Sequence, residues 1–132
     1  MSETSYAEIV AGVRATIGAH TQAQDAGRTD EVAALYTPDA VLEVPGMDPV
    51  AGREAIRQAF KGWEPVLPQL HMVSNTLVTP AGAGEATAVS DVVFLQRGES
   101  GWSVQITGRY VDTLRQVDGR WLLLRRATTY QA

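Results

Sequence analysis

The chain has 132 residues, 45% of them hydrophobic and 20% charged, with a formal net charge of −4 and no cysteine. A single domain over residues 1–132 is expected, and at this length roughly two-thirds of the unfolded surface is buried on folding. With one lysine (Lys61) and no Lys/Arg-rich run, neither nucleic acid nor an anionic membrane is expected as a partner, since both require clustered positive charge; disulfides, thiolate metal sites and thiol nucleophiles are excluded. No apolar run approaches the ~20 residues of a membrane span. The acidic start Met1-Ser2-Glu3-Thr4 has no signal-peptide core, so a cytoplasmic protein is the expectation.

Ser5-Tyr6-Ala7-Glu8 has the spacing of a capping box. Beyond it, Ile9, Val13, Ile17 and His20 recur as one stripe of a helix that runs to about Ala26, where Gly27 ends it. Thr29 is expected to cap a second, short helix that buries Val32, Leu35 and Tyr36 and is stopped by Pro38. One short strand follows in Asp39 to Pro45. A third helix is expected from Arg53 to Trp63, burying Ile56, Phe60 and Trp63, with Pro65 and Pro68 forbidding its continuation.

From Gln69 onward β-branched and aromatic residues run in long stretches. Turns at Pro80-Ala81-Gly82-Ala83-Gly84, Arg97 to Gly101 and Val117-Asp118-Gly119 divide them into four strands. Helices followed by a meander is an α+β arrangement. In the third long strand Trp102, Val104, Ile106 and Tyr110 alternate with Ser103, Gln105, Thr107 and Arg109, which predicts that the first set and Asp112 face inward, with Gly108 at a bend. The strands around Val93 and Leu123 are apolar on both sides, and a homodimer covering the outer face is expected.

Few polar residues are placed for chemistry. His20 is either a core histidine bonded to a backbone carbonyl or a pocket group. Alternation puts His71 and Asn75 on one face, which is either concave or at the sheet edge. Asp25 sits at the end of the first helix, where local backbone bonding is the ordinary role. Tyr36 reads as core with a hydroxyl reaching the pocket at best. Asp91 is either a buried acid or paired with an arginine on the outer face, and the late arginines, Arg126 included, are expected in solvent or in outer ion pairs. The two histidines make no metal-binding pattern, and neither a phosphate loop nor a nucleophile elbow is present.

Five stretches carry a family likeness: Asp25-Ala26-Gly27 through Leu35-Tyr36 to Asp39-Ala40; Gly52-Arg53-Glu54-Ala55-Ile56; His71 to Asn75; Gly108-Arg109-Tyr110-Val111-Asp112; and Asp118-Gly119-Arg120-Trp121. In order and spacing they resemble the nuclear transport factor 2-like superfamily, in particular its SnoaL-like branch. The resemblance implies a cone-shaped α+β barrel, three N-terminal helices packed on a strongly curved, mainly antiparallel sheet around one deep pocket. The superfamily includes ketosteroid isomerases, scytalone and bile-acid dehydratases, polyketide cyclases, limonene epoxide hydrolases and members with no known activity, so the fold alone assigns no reaction. By this resemblance the dehydratases' pocket histidine falls on His71, their first-helix tyrosine on His20 and its neighbouring aspartate on Asp25. Their second catalytic group falls on Gln96, which is neither His nor Asp. The general base of ketosteroid isomerase falls on Val44 and its oxyanion-hole aspartate on Asp112, while the last carboxylate of the epoxide hydrolases falls on Arg126.

The expectation is therefore a cofactor-free lyase, isomerase or cyclase acting on a small apolar carbonyl compound such as a polyketide, terpenoid or steroid-like molecule. His71 is the expected general base, Asp25 or Asp112 its partner or an oxyanion donor, and His20 and Tyr110 secondary donors. Tyr36, Phe60, Trp63, Asn75, Phe94, Gln96, Trp102, Ile106 and Tyr110 are the expected substrate contacts. The alternative is a lipophilic-ligand-binding or dimeric interaction module without chemistry.

Overall fold

The computed structural model describes residues 4–131. Helix α1 (Tyr6–Asp25) starts where Ser5 Oγ accepts the Glu8 N–H at 3.1 Å, and its stripe of Val13, Thr16, Ile17, His20 and Ala23 is buried. It ends in a Schellman turn: Gly27 takes φ +73°, and the Arg28 N–H reaches back to the Ala23 carbonyl at 2.9 Å. Helix α2 is Thr29–Ala33, β1 Tyr36–Glu43, β2 Val50–Ala51 and α3 Arg53–Gly62. The long strands are β3 (Gln69–Pro80), β4 (Glu85–Gly98), β5 (Gly101–Val117) and β6 (Arg120–Tyr130).

Two local expectations are corrected. Thr29 does not cap α2: it is the first helical residue, and its hydroxyl donates to Glu64 Oε1 at 3.0 Å. Tyr36 and Pro38 belong to β1, not to the helix end. Pro38 has no N–H for the ladder, and it lies where the β1–β6 register shifts between Tyr36 and Val41. The Arg53 guanidinium clamps the Tyr36 carbonyl with Nε and Nη2 at 2.9 and 2.6 Å, which ties the start of α3 to the start of β1.

The six strands form one sheet in the order β2-β1-β6-β5-β4-β3, antiparallel except where β1 runs parallel to β6. Register shifts interrupt the ladders at Ser74/Leu77, Phe94/Leu95 and Thr113/Leu114. Such bulges bend a sheet, and this one curls around the three helices as a cone. Each also reverses which side chains face inward. Phe94 pairs with Ile106, but Leu95 pairs with Val104, so Gln105 is the extra residue. Ile106, Tyr110 and Asp112 therefore face inward as expected, whereas Trp102 and Val104 lie on the outer face, 50% and 59% exposed. The bulge at Ser74/Leu77 does the same to Asn75, which adopts φ +55° and donates from its amide to Asp91 Oδ2 at 3.0 Å, outside the cone.

The close-packed core occupies one half of the cone. There Val13 and Ile17 of α1 and Ile56 of α3 meet Leu42, Leu114 and Leu123 of the sheet. The small side chains of Ala86, Ala88 and Ser90 line the inner face of β4, all fully buried. Helix α1 also seats against β6. Thr16 Oγ1 donates to the Trp121 carbonyl at 2.5 Å, and a Cβ built on Gly12 would lie 2.5 Å from the Trp121 indole.

Gly12 is thus a contact position, not a flexible one. Replacing it with valine should overpack the α1–β6 seam and cost about 1–3 kcal/mol, read as a lower urea midpoint. An unchanged midpoint would mean that α1 does not seat there.

Candidate active site

Towards the other half, the side chains facing the hollow from β4 become Val92, Phe94 and Gln96, and the helices no longer fill the space. A cavity of about 610 Å³ remains between the sheet, α3 and the end of α1. Phe60, Trp63, Phe94 and Ile106 form apolar walls, and His20, His71, Tyr110 and Arg126 bring polar groups to it. A second depression of about 740 Å³ lies outside, between α1 and β3, and touches His71 and Asp25 from the far side. It is a wide surface groove that shares only His71 with the interior hollow. The interior hollow holds the buried titratable groups and is the better candidate for chemistry.

His71 comes from β3, its ring stacked on Phe94 with centroids 4.5 Å apart. Asp25, the last residue of α1, receives three hydrogen bonds. His71 Nδ1–H donates to Oδ1 at 2.6 Å, the His71 backbone N–H to Oδ2 at 2.7 Å, and the Gln69 amide to Oδ1 at 3.1 Å. Burial works against ionisation of Asp25, but these bonds outweigh it and hold the carboxyl below the usual carboxylate range. An ionised carboxylate only accepts, so the proton of a neutral imidazole sits on Nδ1. Nε2 keeps its lone pair and has no partner among the described residues. This is the carboxylate–imidazole arrangement of a general base.

A second polar cluster lies across the hollow. Arg126 is 2% exposed and grips the fully buried Asp112 through Nε and Nη2 at 2.8 and 3.0 Å. Its guanidinium carbon sits 3.9 Å from the centre of the Tyr110 ring. Burial opposes the charge on Arg126, but Asp112 outweighs it and holds the guanidinium protonated. His20 Nε2 lies 2.8 Å from the Tyr36 hydroxyl, while His20 Nδ1 is buried with no partner. Burial, then the positive Arg126, then His71 keep His20 well below the usual imidazole range, so it is neutral near pH 7. Burial pushes Tyr36 and Tyr110 upward, so both keep their protons.

Of the sequence-derived candidates, His20, His71, Phe60, Trp63, Phe94, Gln96, Ile106 and Tyr110 line the hollow. Asp25 stands behind His71. Tyr36 is fully buried and acts only through His20. Asp112 is not the partner of His71, and both its oxygens are occupied by Arg126, which leaves it no role as a neutral oxyanion donor. Trp102 and Asn75 are outside, displaced by the two bulges. Asp91 pairs with Arg109 on the outer face. Arg126 is not in solvent: in β6 it neighbours Arg125, and alternation sends Arg125 outward to Glu43 at 2.8 Å and Arg126 inward. Two adjacent arginines on a covered strand were the available signal. Gln69, two residues before His71 on the same face, was legible by the same rule. Among the described residues no three His, Asp or Glu side chains gather as a metal-binding group, and no helix is long and apolar enough to cross a membrane.

The model of the SnoaL-like domain family matches residues 5–127. None of the curated proteins matches the chain. Among solved structures, a candidate scytalone dehydratase from Novosphingobium aromaticivorans is similar at 23% identity and TM-score 0.84, over 93% of this chain and 84% of that one. An NTF2-like protein with a cystatin-like fold from the same organism is similar at 22% identity and TM-score 0.86, over 94% and 82%. A structure from Catenulispora acidiphila in complex with S-DNPA is similar at 26% identity and TM-score 0.84, over 94% of both chains.

Neutral, buried His20 makes stability depend on pH. Its folded-state pKa is depressed, so its contribution is complete above the unfolded value of about 6.5 and is lost as pH falls below it. The depressed Asp25 acts separately, below the unfolded carboxylate value of about 3.9. Urea midpoints should therefore decline between roughly pH 6.5 and 5, with a visibly smaller slope in His20→Gln. Equal slopes would show that position 20 does not set this dependence.

Proposed function

The chain belongs to the SnoaL-like family of the NTF2-like superfamily, and we propose that it is a cofactor-free proton-transfer enzyme acting on a small, largely apolar carbonyl compound. The observation that carries this reading is His71, tautomer-fixed by Asp25 behind it and lining an apolar hollow. His71 Nε2 removes a proton from the carbon next to the carbonyl, and elimination, isomerisation or ring closure follows. Asp25 stabilises the imidazolium that forms, and Gln69 holds Asp25 in place. Phe94 fixes the plane of the ring, while Phe60, Trp63 and Ile106 exclude water. The ligand-bearing Catenulispora acidiphila structure and the candidate scytalone dehydratase support a hollow that takes small molecules.

The reading is tested with 2-tetralone, an apolar ketone with readily exchanged C1 protons. In D₂O, ¹H NMR should show that the protein accelerates their exchange over buffer, and that His71→Ala loses about 10²–10⁴-fold of the acceleration. Binding of the ketone without faster exchange would favour the carrier reading. Full retention of exchange in His71→Ala would remove the base assignment.

For the outer face we propose a second copy of the chain as its cover. Leu70, Met72, Trp102 and Val104 are all at least 45% exposed there, and Leu70 and Val104 flank Leu95 on successive strands. Light scattering after size exclusion should give twice the chain mass. The pair Trp102→Glu and Val104→Glu should give a monomer with unchanged circular dichroism. A monomeric native protein at roughly 50 μM would rule the interface out, since apolar faces of standard size associate more tightly than that.

A further inference from the structure

We propose that Arg126 is the electrophile of the hollow: its free guanidinium edge receives the ligand's carbonyl oxygen and holds the negative charge that develops there as His71 takes the proton. This deepens the reading above and names its substrate class more closely, a neutral enolisable ketone or 1,3-dicarbonyl rather than a carboxylate.

A guanidinium carries five N–H donors. Asp112 accepts from Nε and Nη2, and the Tyr110 ring covers one face. Nη1 has no partner among the described residues, although Arg126 is 2% exposed and lines the hollow. Nη1 is not sealed among protein atoms as His20 Nδ1 is, so its accessible edge opens onto the cavity that Arg126 lines. Here a side of the fork is left for something that enters the cavity. Asp112 can be reached only through Arg126, so it fixes the guanidinium plane without competing for the ligand. The outward arginines Arg109 and Arg125 are paired with Asp91 and Glu43 in solvent and take no part.

Charge accounting selects the ligand. Arg126 and Asp112 cancel, Asp25 is ionised beside His71, and His20, Tyr36 and Tyr110 are uncharged near pH 7. A ligand that arrives as an anion meets repulsion from the uncancelled carboxylates of Asp25 and, where the hollow reaches the surface, Glu64. One that arrives neutral does not. When its α C–H bond breaks, the proton forms a new N–H bond at His71 Nε2 and the electron pair moves into C=C, leaving charge on oxygen. Imidazolium then faces Asp25, the enolate faces Arg126, and the proton returns to a carbon or departs with a leaving group. Stabilisation of this kind acts where charge is made, in a dry site whose donors are already oriented.

The probe is 2-naphthol, whose oxygen and flat rings stand in for an enol, and whose ionisation is read by absorbance. Bound to the native protein and to His71→Ala, where the proposed base is gone and the remaining imidazole, His20, is held neutral, it should ionise about one pKa unit lower than in water, a tenfold gain. Changing Asp112→Asn together with Arg126→Gln, which leaves no stranded charge, should abolish the shift. Arg126→Lys, which keeps Asp112 paired, should reduce it. Ionisation as in water in the native protein overturns the proposal without any variant, as does a shift that survives the double change or a probe that does not bind. A lowered pKa alongside unaccelerated tetralone exchange would instead retain Arg126 and sink only the His71 base.

Discussion

Everything at the candidate site depends on one carboxylate. Asp25 is the last residue of α1, and it accepts from the ring and backbone of His71 and from Gln69, both on the edge strand β3. The contact joins the helix end to the sheet at the mouth of the cone, and it sets which imidazole nitrogen carries the proton. A helix-terminal aspartate ordinarily satisfies its own backbone. Here Gly27 turns the chain away through its left-handed conformation, the Schellman bonds satisfy the last carbonyls, and the side chain is left free to cross to the strand.

The hollow exists because the two halves of the cone are lined differently. Ala86, Ala88 and Ser90 let the helices close onto one half of β4. The longer inward side chains of Phe94 and Gln96 stand at the other half, where α3 and the end of α1 have already diverged. Its polar groups are divided between two walls: His71 on β3, backed by Asp25 of α1, and the Arg126–Asp112 pair with Tyr110 on β5 and β6. Asp112 neutralises Arg126 from behind, and Asp25 is held by three donated hydrogen bonds, so both walls carry their charges with partners in place. His71 and Arg126 are thus held by separate strands.

Much of the fold could be read from the residues. The stripe of α1, the three helices, the four long strands and their turns follow from periodicity, glycines and prolines. His71 and Asp25 were legible as candidates, with Asp25 and Asp112 as alternative partners; the choice was not, because nothing in spacing says that a helix end meets a strand start 46 positions later. Trp102 and Asn75 were misplaced for one reason. Strict alternation assumes an uninterrupted ladder, whereas Trp102 lies beyond a bulge and Asn75 within one, and the extra residue reverses the facing. Arg126 was placed in solvent because a charged residue is usually there. Its inward direction follows only once Arg125 is fixed outward by Glu43.

The sequence by itself determined most of the helices and the four long strands, that thiol chemistry is absent, and that only two histidines are present for acid–base work beside the carboxylates and tyrosines. Those properties are local: they depend on side-chain type and on neighbours a few positions away. Tertiary structure alone decided that Asp25 rather than Asp112 serves His71, that Asp112 is locked by Arg126, and which aromatics line the hollow. Pairing between distant segments is set by strand register and sheet curvature, and a single inserted residue in a ladder changes both.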